Sequence, residues 1–182
     1  MIIGLSGTFG AGKDTISQYL VKKGFQHISL SDIIRAEAKK RRIGHDRDSL
    51  RELGNVLVKE NGEEVLAKIA MQRQRKPNLV LSSIRRIKEI DYLHTFKDFK
   101  FLFVDAPIKI RYGRLHKRGR IGEGTMSFED FKTKEKLEMS GKSTQRLDLC
   151  KKKADVLINN SKTEKHLFKQ IDKIITKEAY AK

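Results

Sequence analysis

The sequence predicts an α/β fold of three layers, in which a five-stranded parallel sheet lies between two layers of helices. Short runs rich in β-branched and aromatic residues alternate with longer amphipathic segments, as in strands that are joined by helical crossovers. Several of the short runs are almost continuously apolar, which is typical of strands covered on both faces. We expect a single domain over residues 1–182.

The predicted elements are arranged so that almost every strand is followed by a helix. Strands are predicted at residues 2–6, 25–29, 79–83, 100–104 and 155–158. Helices are predicted at residues 13–23, 32–42, 49–60, 62–75, 86–97, 108–118, 128–140 and 163–178. Ligands of such sheets bind at the carboxyl ends of the strands. The residues that directly follow each strand are therefore the candidates for a functional site.

The first predicted strand leads into a glycine-rich turn. The segment Gly7-Thr8-Phe9-Gly10-Ala11-Gly12-Lys13 satisfies the spacing G-x-x-x-x-G-K between a strand and a helix. Glycines let successive N–H groups point at an anion, and the helix adds the positive end of its dipole. The lysine can reach the β- and γ-phosphates of a nucleotide. The sequence thus predicts a phosphate site formed by Gly7, Gly10, Ala11, Gly12, Lys13, Asp14 and Thr15.

The two residues after the lysine narrow the class of protein. Asp14 stands where a Mg²⁺-binding hydroxyl usually follows the lysine, and the hydroxyl comes one residue later, at Thr15. This order resembles the nucleoside-monophosphate kinases, whose loop reads G-x-x-G-x-G-K-G-T, and the deoxynucleotide kinases, which carry G-K-D-T. The resemblance implies a P-loop NTPase fold with ATP and Mg²⁺ as cofactors, and Thr15 is the expected Mg²⁺ ligand.

The segment after the second strand resembles the adenylate-kinase sequence I-S-T-G-D-L-L-R. It reads Ile28-Ser29-Leu30-Ser31-Asp32-Ile33-Ile34-Arg35. We expect Ser31 or Asp32 to cap the helix that follows. The guanidinium of Arg35 lies one turn further, where its planar fork can hold the phosphate of an acceptor. Ser31, Asp32 and Arg35 are therefore predicted to bind the acceptor.

The third strand ends in Ser82-Ser83-Ile84-Arg85. Adenylate kinases carry D-G-F-P-R here, and a related archaeal group of kinase-like proteins carries D-G-I-R. Arg85 matches the arginine, so it is predicted to be catalytic and to contact the acceptor. Ser82 stands in place of the acidic residue of those kinases. The role of that acidic residue beside Mg²⁺ would then pass to Asp14 or Asp105.

The region after the fourth strand resembles the lid entry of nucleotide kinases. Arg114 and Arg118 lie four residues apart on one face of a predicted helix. The resemblance implies that they stack on the base and hold the phosphates, so both are predicted to be catalytic. Glycines at 119, 122 and 124 predict a short lid over residues 119–127. Near the C-terminus, Ile158-Asn159-Asn160 resembles the I-N-N/D turn of the same group, so Arg114 and Asn159 are assigned to the base.

The composition bears on partners and location. Forty Lys and Arg residues against 23 Asp and Glu residues give a net charge of +17, which favours polyanions. Aromatic residues make up only 7% and Trp is absent, so nucleic acid is a possible but not a favoured partner. No apolar run approaches the roughly 20 residues that a membrane helix needs. With Cys150 as the only cysteine, we expect a cytoplasmic protein that does not bind membranes.

These motifs predict ATP-dependent phosphoryl transfer to a small nucleotide acceptor. A phosphate acceptor needs cationic clamps, whereas a hydroxyl acceptor benefits from a carboxylate base. Dephospho-CoA kinases resemble this chain in the P-loop but carry D-A-D-x-I-A-R after the second strand, and those aspartates fall at Ser29 and Ser31. A nucleoside- or deoxynucleoside-monophosphate kinase is therefore preferred, with a dephospho-CoA-like kinase that uses Asp32 as the alternative. An ATPase coupled to RNA or protein binding, and a nucleotide-binding protein with weak catalysis, also remain open.

Overall fold

The computed structural model describes residues 1–119, 126–140 and 146–180. The strands are β1 (Ile2–Gly7), β2 (Gln26–Ser29), β3 (Leu79–Ser82), β4 (Phe99–Asp105) and β5 (Val156–Asn159). The helices in the described part of the chain are α1 (Lys13–Lys22), α2 (Leu30–Arg41), α3 (Arg47–Asn61), α4 (Val65–Gln72), α5 (Ile87–Leu93), α6 (Ile108–Arg118), α7 (Phe128–Ser140), α8 (Leu147–Lys152) and α9 (Glu164–Tyr180).

The sheet is five-stranded, parallel throughout and ordered β2-β3-β1-β4-β5. β1 is the central strand, since it pairs with β3 at Ile2↔Leu79 and with β4 from Ile2↔Phe99 to Gly7↔Val104. After β1 the chain crosses to the edge strand β2 and returns to β3 beside β1, and it then continues on the other side of β1 with β4 and β5. The connections that leave β1 and β3 run in opposite directions, and ligands of such sheets bind at the carboxyl ends of the strands where this reversal occurs. The predicted fold class is confirmed.

Each face of the sheet has its own core, which makes the architecture three-layered. One core joins the sheet to α2, α3, α4, α5 and α8, with Phe101 and Phe103 of β4 at its centre. The other joins the sheet to α1 and α9 through Ile3, Leu5 and Ile16. Alternate residues of β1 and β4 enter opposite cores, so both strands are buried on both sides.

The observed elements differ from the predicted ones mainly in the helices. α8 was not predicted because its six residues are too few to show a helical period, although Leu147 and Cys150 are buried. α2 begins at Leu30 with Ser29 as its N-cap residue, so the expected cap at Ser31 or Asp32 is wrong.

Most of the predicted lid falls on residues 120–125, which lie outside the described residues. Among the described helices, none is both long and apolar enough to cross a membrane.

We expect two glycine substitutions to have opposite effects on stability. A Cβ at Gly7, where φ is 143°, would lie 2.1 Å from the carbonyl oxygen of Val104. Because that oxygen belongs to the neighbouring central strand, Gly7→Ala should lower the free energy of unfolding by about 2 kcal/mol or more. Gly113 lies in α6, and a Cβ there meets nothing within 4 Å. Gly113→Ala should therefore raise the free energy of unfolding by up to about 1 kcal/mol.

Urea denaturation of both variants measures these differences against the wild type. A Gly7→Ala variant as stable as the wild type would contradict the close packing of the loop against β4.

Candidate active site

β1 ends in a curled loop, and α1 begins directly after it at Lys13. Gly10 and Gly12 have positive φ angles of 77° and 98°, which turn the chain back across the end of the strand. The first turn of α1 follows without a side-chain cap. This turn and the glycine loop lie at the positive end of the α1 dipole, an environment suited to an anion.

Lys13 lies folded against this loop. Its Nζ donates to the carbonyl oxygens of Gly7 at 2.9 Å and of Thr8 at 2.8 Å. Burial, together with the positive charge of Arg85, lowers the pKa of Lys13 to about 7. The lysine therefore lies where the sequence places it, and it carries only part of its usual charge when no anion is present.

Asp105 at the end of β4 holds the loop from one side. Its carboxylate accepts hydrogen bonds from the Thr8 hydroxyl at 2.8 Å and from Lys151 Nζ at 3.0 Å. Partial burial alone would raise the pKa of this carboxyl, but these hydrogen bonds keep it below its ordinary value. Asp105, a candidate carboxylate beside Mg²⁺, is thus engaged in bracing the loop.

Asn160 holds the loop from the side of β5. Its Nδ2 donates to the carbonyl oxygen of Ala11 at 2.8 Å, and its own carbonyl oxygen accepts from Arg114 at 2.9 Å. Asn159, which was assigned to the base, has an exposed side chain at the end of β5. Of the two neighbouring asparagines, Asn160 is the one that contacts the phosphate loop.

Arg111 is a buried arginine that sequence reasoning did not assign to the site. Its Nε donates to the carbonyl oxygen of Ala106 at 2.6 Å and its Nη1 to that of Phe9 at 3.1 Å. The guanidinium also forms an ion pair with Glu135 of α7. A buried and an exposed arginine of an amphipathic basic helix look alike in sequence, so the pattern of α6 gave no signal for this role.

α7 packs over the loop and brings two carboxylates to it. The ring of Phe131 lies 6.0 Å from that of Phe9, measured between centroids. One helical turn further, Glu135 pairs with Arg111, and a carboxylate oxygen of Glu138 lies 3.6 Å from Arg85 Nη1. Neither glutamate was predicted, because pairing between distant segments leaves no trace in a single sequence.

Arg85 is held at the carboxyl end of β3 by a buried carboxylate. Glu89 of α5 accepts the backbone N–H groups of Arg85 at 2.9 Å and of Arg86 at 3.1 Å. Burial raises the pKa of Glu89 to about 7, although these hydrogen bonds oppose the shift. The positive charge of Arg85 also helps to lower the pKa of Lys13.

The acceptor residues predicted after β2 lie together. Arg35 donates to the hydroxyl of Ser31 at 2.9 Å and to the carboxylate of Asp32 at 2.7 Å. The hydroxyls of Ser29, Ser31 and Ser83 form a serine cluster with oxygen separations of 2.9, 3.2 and 3.4 Å. Ser83 has a φ of 65°, a strained conformation for a residue with a side chain.

Ser82 does not supply a carboxylate, and its hydroxyl lies 2.8 Å from Nε2 of His27 on β2. Burial lowers the pKa of His27, which favours the neutral ring near pH 7. In place of the acidic residue that the resemblance to adenylate kinases implies at this position, the chain has Ser82 hydrogen-bonded to a neutral His27.

The first turn of α1 offers oxygen ligands that fit Mg²⁺. Asp14 is 63% exposed and lies 3.6 Å from Arg118 Nη1, and Thr15 follows it on the same turn. In the part of the chain that the structure describes, no three His, Cys, Asp or Glu side chains are placed to hold a metal alone. The carboxylate and the hydroxyl of the first turn of α1 are oxygen ligands of the kind that Mg²⁺ takes beside phosphate oxygens and water.

The comparisons with known proteins agree with this geometry. A family model described as an AAA domain matches residues 6–130, well over half of the chain. The chain belongs to this family. It is also 26% identical over 175 residues to a UPF0200 protein of Pyrobaculum aerophilum, covering 96% of both chains. A UPF0200 protein of Pyrococcus horikoshii is 28% identical over 185 residues and is covered to 97% on both sides.

Solved structures show the same fold for this AAA-domain chain. TT1252 from Thermus thermophilus superposes with a TM-score of 0.64 at 20% identity, with 97% of each chain covered. A shikimate kinase from Bacteroides thetaiotaomicron gives a TM-score of 0.62 at 16% identity, covering 97% of this chain and 98% of its own. The fold is therefore that of P-loop NTPase kinase-like structures.

We expect ATP binding to be coupled to proton uptake at Lys13. At about pH 8.5 most Lys13 side chains of the free protein are neutral, since their pKa is about 7. Phosphate charges beside Nζ raise this pKa, so binding should take up close to one proton, and ATP affinity should fall as the pH rises above 7. Calorimetry in two buffers of different ionisation enthalpy counts the protons.

Lys13→Arg is the matched variant, because a guanidinium stays protonated throughout this pH range. It should take up no proton when it binds ATP. Equal uptake by the variant and the wild type would contradict the assignment of the proton to Lys13.

Proposed function

We propose that this chain transfers the γ-phosphoryl group of ATP to a small nucleotide, a nucleoside or deoxynucleoside monophosphate. The observation that carries this proposal is the position of three cationic groups at one edge of the sheet. Lys13 follows β1, Arg85 follows β3 and Arg35 follows β2 by one helical turn. Because the strand order is β2-β3-β1, these cations follow one another from the loop outward, which supports a site for two phosphate groups side by side.

The proposed reaction needs positioning and charge neutralisation more than a base. A phosphate oxygen of the acceptor forms a bond to the γ-phosphorus while the bond to the β,γ-bridging oxygen breaks and ADP leaves. Lys13 stabilises the charge on the ATP side, and Arg35 and Arg85 hold the acceptor phosphate. Mg²⁺, held through Thr15 and Asp14 together with the phosphates, would neutralise charge on the triphosphate when bound. Arg114 and Arg118 of α6 are assigned to the base and phosphates of ATP, and Asn159 to the base.

Both acceptor arginines are paired with carboxylates, and a phosphate has to replace these partners. Arg35 lies 2.7 Å from Asp32, with side chains 50% and 67% exposed. Arg85 lies 3.6 Å from Glu138, and the Arg85 side chain is 36% exposed. The exposed Arg35–Asp32 pair contributes at most about 1 kcal/mol, so a doubly charged phosphate that accepts two hydrogen bonds from the guanidinium can displace Asp32. The side chain of Glu138 is only 15% exposed, so the Arg85–Glu138 pair is partly buried and a phosphate has to compete with it more strongly.

A hydroxyl acceptor is the second candidate, and the serine cluster is the observation that favours it. The hydroxyls of Ser29, Ser31 and Ser83 are mutually hydrogen-bonded and can donate to or accept from a substrate hydroxyl. Asp32 lies beside them and would act as the base that removes the proton from that hydroxyl. The two candidates differ in what they demand of Asp32, since only the hydroxyl acceptor needs a base.

A panel of acceptors should identify the substrate directly. We expect a nucleoside or deoxynucleoside monophosphate to raise ADP release from Mg·ATP, with a product heavier by one phosphoryl group in the mass spectrum. Dephospho-CoA and shikimate serve as hydroxyl acceptors in the same assay. If no acceptor stimulates ADP release but RNA does, the kinase proposal is contradicted in favour of a nucleic-acid-coupled ATPase.

Variants of the acceptor side should separate the two mechanisms. Arg35→Ala should raise the KM for the acceptor at least about tenfold, because the guanidinium contributes a charge-assisted pair, while the KM for ATP changes little. Asp32→Asn should leave kcat within about threefold for a phosphate acceptor but reduce it by about a hundredfold or more for a hydroxyl acceptor.

Arg75→Ala is the control for these variants. Arg75 lies in the turn before β3, at the opposite edge of the sheet, and its Nη1 donates to the carbonyl oxygens of Gln72 and Gln74 at 3.0 Å. An Arg35→Ala enzyme with the acceptor KM of this control would show that Arg35 does not bind the acceptor.

A further inference from the structure

Asn160 connects two regions that a nucleotide would contact at the same time. It is 6% exposed and follows β5 directly. Its backbone N–H donates to the carbonyl oxygen of Asp105 at 2.8 Å, which fixes it to the end of β4. From this anchored position the side chain reaches the phosphate loop and the carbonyl group reaches α6.

The side-chain amide controls the orientation of one peptide unit in the loop. Nδ2 donates to the carbonyl oxygen of Ala11 at 2.8 Å and packs against Gly12, where a Cβ would lie 2.4 Å from Nδ2. In a planar trans peptide the C=O and N–H groups point in opposite directions. By holding the Ala11 carbonyl, Asn160 sets the direction of the Gly12 N–H, one of the donors of the phosphate loop.

The backbone carbonyl group of Asn160 holds the guanidinium of Arg114. Nη2 of Arg114 donates to the Asn160 carbonyl oxygen at 2.9 Å and lies 3.5 Å from its Oδ1. Nη1 of the same arginine is buried and finds no hydrogen-bond acceptor within the described residues. A buried donor without a partner is costly and rare, so this nitrogen points to an acceptor atom that a ligand supplies.

We propose that Asn160 is a positioning residue that fixes the Gly12 N–H and the Arg114 guanidinium relative to each other for ATP. The loop contacts the phosphates, and Nη1 of Arg114 donates to a further acceptor atom of the same nucleotide. Because Asn160 holds both groups through one residue, the binding energy of one group depends on the placement of the other. This inference rests on the proposed binding of ATP, but not on the identity of the phosphate acceptor.

Asn61 at the end of α3 provides a matched control. Its Nδ2 also donates to a backbone carbonyl oxygen, that of Leu57 at 3.0 Å, but Asn61 belongs to none of the proposed binding groups. Asn160→Asp keeps the size of the side chain and an acceptor for Arg114, but it replaces the N–H donor to the Ala11 carbonyl by an oxygen. Asn61→Asp makes the same exchange in α3, so the difference between the two variants isolates the contact with the loop.

Calorimetric titration of the full chain with Mg·ATP tests the proposal. Asn160→Asp should raise the Kd for ATP at least about tenfold, because small displacements of binding groups are costly, and Asn61→Asp should change it less than about twofold. Asn160→Asp should weaken the binding of inorganic tripolyphosphate in the same way. The double variant Asn160→Ala/Arg114→Ala should bind ATP only slightly more weakly than the weaker-binding of the two single variants. The effects of substitutions at residues that act together are not additive.

A purely structural role would lower the melting temperature but leave the Kd of the folded protein unchanged. If Asn160→Ala does not fold, Asn160→Asp and Asn160→Ser decide the question. A Kd for Asn160→Asp within twofold of that for Asn61→Asp would overturn the inference while the proposed function stands. A wild-type chain that does not bind ATP would overturn both, whereas ATP binding without phosphoryl transfer would overturn the proposed function alone.

Discussion

The loop at the carboxyl end of β1 has to keep a curled backbone conformation if it is to bind phosphate, and the elements around it are placed so that they hold this conformation. Such a loop cannot hold itself, because its carbonyl groups need partners and its positive φ angles are accessible only to glycine at low cost. The partners come from three directions. Lys13 takes the carbonyls of Gly7 and Thr8, Arg111 takes that of Phe9, and Asn160 takes that of Ala11.

These partners explain why the surrounding elements are placed as they are. Asp105 ends β4 and is paired in register with Asn159, the last residue of β5, and Asn160 follows directly. Asp105 and Asn160 each hold a different part of the loop. The pairing of β4 with β5 thus fixes the residues that hold the loop relative to each other.

Positive charge gathered around an anion site also needs compensation when no anion is bound. Glu135 and Glu138, one turn apart on α7, provide it for Arg111 and Arg85.

The sequence was most informative where the physical signal is local. Apolar runs gave the five strands to within a residue, and the spacing from Gly7 to Lys13 predicted the loop, because both patterns depend on neighbouring residues. Tertiary contacts were not accessible in this way. Asn159 and Asn160 look alike in sequence, and only the end of β5 decides which of them is buried. The roles of Arg111, Glu89, Glu135 and Glu138 likewise depend on contacts between segments far apart in the chain. The N-cap of α2 fell on Ser29 because the helix begins directly at the end of β2.

The central claim is that residues 7–13 form a preformed phosphate site, and a crystal structure with a non-hydrolysable ATP analogue and Mg²⁺ tests it most directly. The account predicts a triphosphate inside the loop, with the loop backbone unchanged. Lys13 Nζ should have moved from the carbonyls of Gly7 and Thr8 to the β- and γ-phosphate oxygens. A triphosphate bound elsewhere, or a Lys13 that keeps both carbonyl partners with the nucleotide in place, would contradict the account.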